Sequence, residues 1–304
     1  MSKTAIVFPG QGSQSVGMIA DVIQAFPIAQ DTLAEADDVL GFALSKIIAD
    51  GPAEALNSTN NTQPALVAVE VALWRALDGK QQADFMAGHS LGEYSALVCA
   101  GALSFADALK IVRHRGELMQ QAVPDGVGAM AAILGMEDAD VEAVCLEAAQ
   151  GQVVQAANYN SPGQLVIAGN AEAVERAVAM CKEKGARRAM MLPVSGPFHS
   201  ALMQPAADQF EAFIEPFAFT EPSCPVLQNA SLAFETQPEK IKQNLIAQIA
   251  SPVQWTQTVQ NFAQAGVSEI IEVGPGKVLT GLNKRIDKSV QGRAVNTVTD
   301  LEAN

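Results

Sequence analysis

The chain has 304 residues, 49% of them hydrophobic and 17% charged, with a formal net charge of −14. That composition supports a sizeable core and excludes a disordered chain, and the acidic balance argues against nucleic acid as the main partner. No apolar run approaches the ~18–20 residues that span a bilayer, and Cys99, Cys145, Cys181 and Cys224 are too widely spaced for a disulfide framework or a zinc site.

The first residues, Met1-Ser-Lys-Thr-Ala-Ile-Val-Phe, carry no signal-peptide pattern, so a soluble cytoplasmic protein without membrane association is expected. Thr4–Phe8 reads as a short buried strand that runs into the turn Pro9-Gly-Gln-Gly-Ser-Gln14. Strand, Gly-rich turn and helix in succession suggest a parallel α/β sheet. The turn lacks G-x-G-x-x-G spacing and a G-K-[ST] triplet, which rules against a nucleotide site. Its polar Gln11 and close backbone approach suit an active-site rim. Residues 15–80 read as mainly helical, with a polar break at 57–62 and an apolar stripe over 63–77.

Gly88-His-Ser-Leu-Gly92 matches the G-x-S-x-G nucleophile elbow, in which a strand ends, the backbone turns sharply and a helix begins. The flanks agree: Asp84–Ala87 can end a strand, and Glu93–Ala100 is apolar with good helix formers. Such a turn projects the Ser90 hydroxyl into a cleft and leaves the N–H of Leu91 free to face an oxyanion. Ser104, with Asp107 three residues on, caps a helix running to about Ala122. Within it Arg115 shares a face with Ala108, Ile111, Val112, Leu118 and Met119, whereas His114 lies nearer Lys110 and Glu117. A guanidinium on an apolar face must snorkel, form a structural ion pair or meet an anionic ligand.

After Pro124-Asp-Gly126 the rhythm changes. Strand 128–134, helix 138–149, strand 153–157, turn 158–163, strand 164–169, helix 171–184 and strand 188–194 give βαββαβ, a ferredoxin-like unit. The expected organisation is a parallel-sheet α/β domain over 1–124 and 196–304, with an inserted ferredoxin-like subdomain over 125–195. The cleft between them is the natural ligand site. Irregular residues 194–199 lead to helical stretches at 200–213 and 238–249, then to strand 268–273, Gly274-Pro-Gly276 and a helix from Lys277.

A serine nucleophile needs a base, and there are three histidines. His89 is adjacent to Ser90 on the elbow and points elsewhere; His114 is explained by solvation. His199, in a loop after the subdomain, is the remaining candidate. Its far ring nitrogen needs an acceptor, either an aspartate that the sequence does not single out or a backbone carbonyl. In α/β-hydrolases the chain order is Ser, acid, His. Here about a hundred residues and another sheet strand follow His199, which tilts the reading away from an esterase or lipase.

Phe8-Pro-Gly-Gln-Gly-Ser13, Gly88-His-Ser-Leu-Gly-Glu-Tyr94, Arg115-Gly-Glu-Leu-Met119, Asn160-Ser-Pro-Gly-Gln164 and Glu272-Val-Gly-Pro-Gly276 occur in that order. In this the whole chain resembles the malonyl-CoA:acyl carrier protein transacylases of type II fatty acid synthesis. The resemblance implies an α/β-hydrolase-like sheet domain with a ferredoxin-like insertion, and transfer of malonyl from malonyl-CoA to the phosphopantetheine thiol of acyl carrier protein, by a ping-pong route through a malonyl-serine ester. It implies Ser90 as nucleophile, His199 as general base, the main-chain carbonyl of Gln248 as its orienting group, and the N–H groups of Gln11 and Leu91 as oxyanion hole. Arg115 would pair with the malonyl carboxylate, and Phe198, Met119 and Asn158 would line the substrate cleft. Phe198 stands where many members carry Ser, a form familiar from malonyl-selective polyketide acyltransferases. No metal or resident cofactor is implied, and a monomer is expected. A serine thioesterase or hydrolase, and the same transfer in polyketide synthesis or malonate decarboxylase, are the alternatives. The partner carrier protein is acidic, so docking would need a local basic patch. Lys182, Lys184, Arg187 and Arg188 form one candidate, and Lys277, Lys284 and Arg285 another; either cluster could equally be a solvated face.

Overall fold

The computed structural model describes residues 3–194 and 196–303; the expected subdomain boundary at 195 falls outside the described residues. The chain opens with strand β1 (Lys3–Phe8), whose last four residues are fully buried, as befits a continuous apolar run covered on both faces. Four helices follow, α1 (Ala20–Ala25), α2 (Pro27–Leu40), α3 (Leu44–Asp50) and α4 (Ala53–Asn57), and then α5 (Thr59–Ala76). The polar break expected at 57–62 is shorter than the sequence suggests, because Thr59 already begins α5. Pro64 cannot donate to the carbonyl four residues back. Arg113 makes good the loss: its Nη1 donates to Asn60 O at 3.2 Å and to Asn61 Oδ1 at 2.5 Å.

Strand β2 (Phe85–Gly88) leads into α6 (Gly92–Cys99), and α7 (Phe105–Gln121) begins at Ser104, whose Oγ accepts from the N–H of Asp107 at 3.1 Å. The next six elements are β3 (Gly128–Leu134), α8 (Asp138–Ala149), β4 (Val154–Ser161), β5 (Gln164–Asn170), α9 (Ala171–Glu183) and β6 (Arg188–Met191). They form an antiparallel sheet in the order β4-β5-β3-β6, the ferredoxin-like arrangement, with α8 and α9 packed over one face. One turn is corrected: Asn158–Ser161 belongs to β4, and the reversal is confined to Pro162 and Gly163. Asn158 pairs with Val166 and bridges to Val253, so long-range partners override local turn preference.

The remainder comprises α10 (Gln204–Ile214), β7 (Val226–Leu227), β8 (Phe234–Glu235), α11 (Pro238–Gln248), α12 (Trp255–Gln264), β9 (Val267–Val273), α13 (Val278–Ile286), β10 (Gln291–Val295) and α14 (Val298–Glu302). The main sheet runs β10-β9-β1-β2-β7-β8, parallel except for the β7–β8 pair. In such sheets, ligands bind outside the carboxyl ends of the strands. β1 ends at Phe8 and β2 at Gly88 of the elbow, so two adjacent strands deliver their following loops to one place. The small sheet closes over them: Val253 N donates to Ala157 O, and Tyr159 N to Val253 O, each at 2.8 Å. No helix among the described residues is long and apolar enough to cross a membrane.

Candidate active site

The elbow is built by exclusion. A Cβ on Gly88 would fall 1.8 Å from the carbonyl carbon of Gly92, and one on Gly92 would fall 2.1 Å from Phe8 O. Only glycine permits β2, the turn and α6 to pack this tightly. Ser90 takes a left-handed φ of 52°, a strained conformation for a side chain with a Cβ. Asn229 secures it, accepting from Ser90 N at 2.8 Å and donating through Nδ2 to Gly88 O at 2.8 Å.

Ser90 Oγ lies 2.7 Å from His199 Nε2. On its other side, His199 Nδ1 faces two acceptors, the carbonyls of Gln248 at 3.0 Å and Ser251 at 3.1 Å. Because a carbonyl only accepts, the Nδ1 proton is fixed there and Nε2 is left to receive the serine proton. Burial, then the positive charge of Arg115, pull the His199 pKa down to about 3, against the opposing effect of the two carbonyls. The imidazole is therefore neutral at physiological pH, the form a base requires. His89 turns away, its Nε2 2.9 Å from Asn160 Oδ1 and its ring 5.8 Å from that of Trp255. His114 lies outside the cleft, stacked on Phe213 and 3.5 Å from Glu117.

Arg115, 1% exposed, enters from α7. Its Nη1 donates to Gln63 Oε1 at 2.9 Å, and its Nη2 to Gln248 Oε1 at 2.9 Å and to Ser90 Oγ at 3.0 Å. The guanidinium lies over the Tyr94 ring, 5.5 Å from its centre. Every acceptor it touches is neutral, no carboxylate among the described residues pairs with it, and Nε finds no acceptor. The buried Glu93 acts on it only through space and through Gln248, so the guanidinium has no carboxylate bonded to it directly, and an incoming carboxylate would supply one. Snorkelling is excluded.

The cleft between the two sheets has a volume of about 460 Å³ and is lined by Gln11, Ser90, Leu91, Arg115, Met119, Asn158, Phe198 and His199, among others. Phe198 and Met119 supply apolar wall, and Asn158 a buried amide. The loop carrying Gln11 presses on the elbow so closely that a Cβ on Gly10 would lie 2.4 Å from His89 O. The main-chain N–H groups of Gln11 and Leu91 donate to no acceptor among the described residues. Of the basic clusters, Arg285 reaches the rim, its Nη1 donating to Gln164 Oε1 at 3.1 Å, whereas Lys184 is paired with Glu147 at 2.7 Å.

Sequence reasoning missed Gln63, Glu93, Asn229 and the side chain of Gln248. Glu93 follows the elbow directly and Gln63 interrupts the apolar stripe of α5, signals that point to buried polar roles. Asn229 leaves no such signal, because it reaches the elbow only through the pairing of β7 with β2.

The chain matches the acyl transferase domain family over residues 5–301. It is 53% identical to the malonyl CoA-acyl carrier protein transacylase of Escherichia coli (strain K12), over 100% of this chain and 99% of that one. The corresponding Bacillus subtilis (strain 168) protein is 46% identical, over 99% of this chain and 96% of its own. Among solved structures, an acyl carrier protein S-malonyltransferase from Vibrio cholerae superposes with a TM-score of 0.97 at 55% identity, covering 99% of each chain. A malonyl-transacylase solved in complex with its type II PKS acyl-carrier protein superposes with a TM-score of 0.97 at 50% identity, covering 100% of each.

Proposed function

The chain belongs to the acyl transferase domain family, and from that premise we propose that it transfers malonyl from malonyl-CoA to the phosphopantetheine thiol of an acyl carrier protein, through an ester on Ser90. The observation that carries this reading is the buried guanidinium of Arg115, 3.0 Å from the Ser90 hydroxyl and without a carboxylate partner among the described residues. A site for acetyl or long-chain acyl groups would have no use for that charge. A malonyl group carries its carboxylate one methylene from the reacting carbonyl, which matches the short span between Arg115 and Ser90.

His199 Nε2 takes the Ser90 proton as Oγ attacks the thioester carbonyl. The resulting oxyanion is held by the N–H groups of Gln11 and Leu91. As the intermediate collapses, the C–S bond breaks and His199 returns its proton to the departing CoA sulfur, leaving malonyl on Oγ. The carrier thiol then attacks that ester, giving its proton to His199, and the C–O bond to Ser90 breaks as Oγ recovers the proton. Throughout, the Gln248 carbonyl keeps the imidazole oriented. Phe198 limits room at the malonyl α-carbon, with Met119 and Asn158 on the neighbouring walls. Each step is assigned to groups of one chain, and no resident cofactor enters it. The catalytic domain of this reading is 1–124 with 196–304, and 125–195 forms the other wall of the cleft. With CoA and a carrier protein as its substrates, the reading is of a cytoplasmic enzyme.

Intact-protein mass spectrometry tests the reading. Mixing with malonyl-CoA should add one malonyl group, Ser90→Ala should abolish the adduct, and holo-carrier protein should remove it and gain the malonyl. Steady CoA release without transfer to carrier would make water the acceptor and sink the transacylase reading.

A further inference from the structure

Beneath the elbow lies an ionisable side chain that acyl transfer itself leaves unused. Glu93, in the first turn of α6, is fully buried. Its Oε2 accepts from Gln248 Nε2 at 2.8 Å and from Asn229 N at 3.0 Å, while Oε1 has no partner among the described residues. Burying a carboxylate in this way is costly, and an apolar residue of the same size would fill the space at lower cost. Burial raises the carboxyl to about 7 even against the hydrogen bonds from Asn229 and Gln248 and the charge of Arg115.

What the carboxylate supplies is seen in Gln248. One carboxamide faces two kinds of neighbour: Oε1 accepts from Arg115 Nη2, while Nε2 donates to Glu93 and, at 3.0 Å, to the carbonyl of Ser90. The terminal torsion of a glutamine is soft, so nothing in the side chain itself decides which end meets the guanidinium. Oε2 of Glu93, which also receives the Asn229 N–H, and the Ser90 carbonyl both accept here, and together they demand the NH₂ end. Without Glu93, one acceptor fewer opposes a flip that would set NH₂ against the guanidinium and release Arg115 from its aim.

We propose that Glu93 is a positioning residue for malonyl selectivity: it fixes the Gln248 carboxamide with its oxygen toward Arg115 and thereby holds the guanidinium directed at the substrate carboxylate. This deepens the proposed function and rests on the role given there to Arg115.

The test compares Ser90 self-acylation rates with malonyl-CoA and acetyl-CoA by intact mass. Acetyl transfer needs Ser90 and His199 but brings no carboxylate for Arg115 to hold, so it controls for damage to the elbow. Glu93→Met keeps the volume and removes both acceptors; Glu93→Gln keeps an oxygen where Oε2 sits. Loss of a hydrogen bond aligning a charged group should lower the malonyl rate of Glu93→Met about tenfold while the acetyl rate stays within about twofold. Glu93→Gln should restore most of the malonyl-to-acetyl ratio. Gln248→Met, whose main-chain carbonyl still faces His199, should show the same fall in ratio, which keeps the proposal testable if Glu93→Met does not fold. Equal losses with both substrates in Glu93→Met, or an unchanged ratio in Gln248→Met, would overturn the proposal and leave Glu93 as support for the elbow. If the unaltered protein forms no malonyl adduct on Ser90, the proposed function fails and this inference with it; an adduct with an unaltered ratio in the variants overturns the inference alone.

Discussion

Arg115 donates to the same oxygen that His199 is placed to deprotonate: Nη2 lies 3.0 Å from Ser90 Oγ on one side and His199 Nε2 2.7 Å on the other. The serine proton is thus directed to the imidazole, because the guanidinium can only donate. Ser90, His199 and Arg115 are a single hydrogen-bonded unit, so in the proposed reading acyl selectivity is built into the geometry of attack.

Replacing Arg115 should therefore change which acyl group is taken rather than whether one is taken. Removing one side of a buried charge pair costs about 3 kcal/mol, roughly 100-fold in kcat/KM. Arg115→Ala should lose that much with malonyl-CoA and little with acetyl-CoA. Competition between the two thioesters for Ser90, read by mass, measures the ratio directly; an unchanged ratio would remove Arg115 from substrate recognition.

The pH dependence follows from the same proximity. His199 is held at about 3, first by burial and then by Arg115, so the unprotonated base persists as pH falls below the ordinary histidine value of about 6.5. Acetyl-CoA, which has no acyl carboxylate to titrate, should acylate Ser90 at a rate that loses no base from pH 8 down to about 5. Taking away the Arg115 charge removes one cause of the depression and leaves burial, so the acid limb in Arg115→Ala should move upward yet stay below about 6.5. An acid limb near 6.5 in the unaltered protein would mean that the imidazole is solvated and free of Arg115's influence.

Much of this site is legible in the sequence where the constraint is local. Gly88 and Gly92 announce the elbow because a tight strand–turn–helix has no room for Cβ, and Arg115 stands out because a 3.6-residue period puts it among Ile111, Val112 and Leu118. The partners that arrive from elsewhere are not legible. Asn229 meets Ser90 across 139 residues and Gln248 meets Glu93 across 155, contacts set by sheet order rather than spacing. The same holds for Asn158–Ser161, whose turn-like composition yields to pairing with β5 and Val253. In α5 it is Arg113, from another helix, that lets the polar segment before Pro64 become helical.

Glycine substitutions separate steric need from mere occurrence. Gly92→Ala would drive a methyl into Phe8 O, and β1 cannot retreat because β2 and β9 pair with it on both sides. A loss of more than about 4 kcal/mol is expected, enough to prevent accumulation of folded protein. Gly281, within α13, has nothing within 4 Å of its would-be Cβ. Gly281→Ala should be neutral or stabilise by up to about 1 kcal/mol through helix propensity. Thermal melts of the two variants check both signs, and a Gly92→Ala protein melting like the unaltered one would refute the packing account of the elbow.

The two basic clusters make opposite predictions about the carrier. An acidic carrier, which the resemblance implies, would be repelled at long range by this acidic chain, so docking would depend on a local patch of positive charge within reach of the cleft. Arg285 lies on the rim, bonded to Gln164, and its helix α13 sends Val278, Leu279 and Leu282 into the lining. In the other cluster Lys184 is already paired with Glu147, on helices that cover the small sheet. Charge reversal at Lys284 and Arg285 should therefore raise the KM for carrier protein roughly tenfold at low salt, an effect that shrinks as salt rises. Reversal at Lys182 and Lys184 should change it by less than about twofold, because an exposed pair of that kind is worth little. Malonyl-enzyme formation from malonyl-CoA serves as the reference in both cases. A carrier KM that responds to the Lys182–Lys184 reversal and ignores the Lys284–Arg285 one would move docking to the other face of the small sheet.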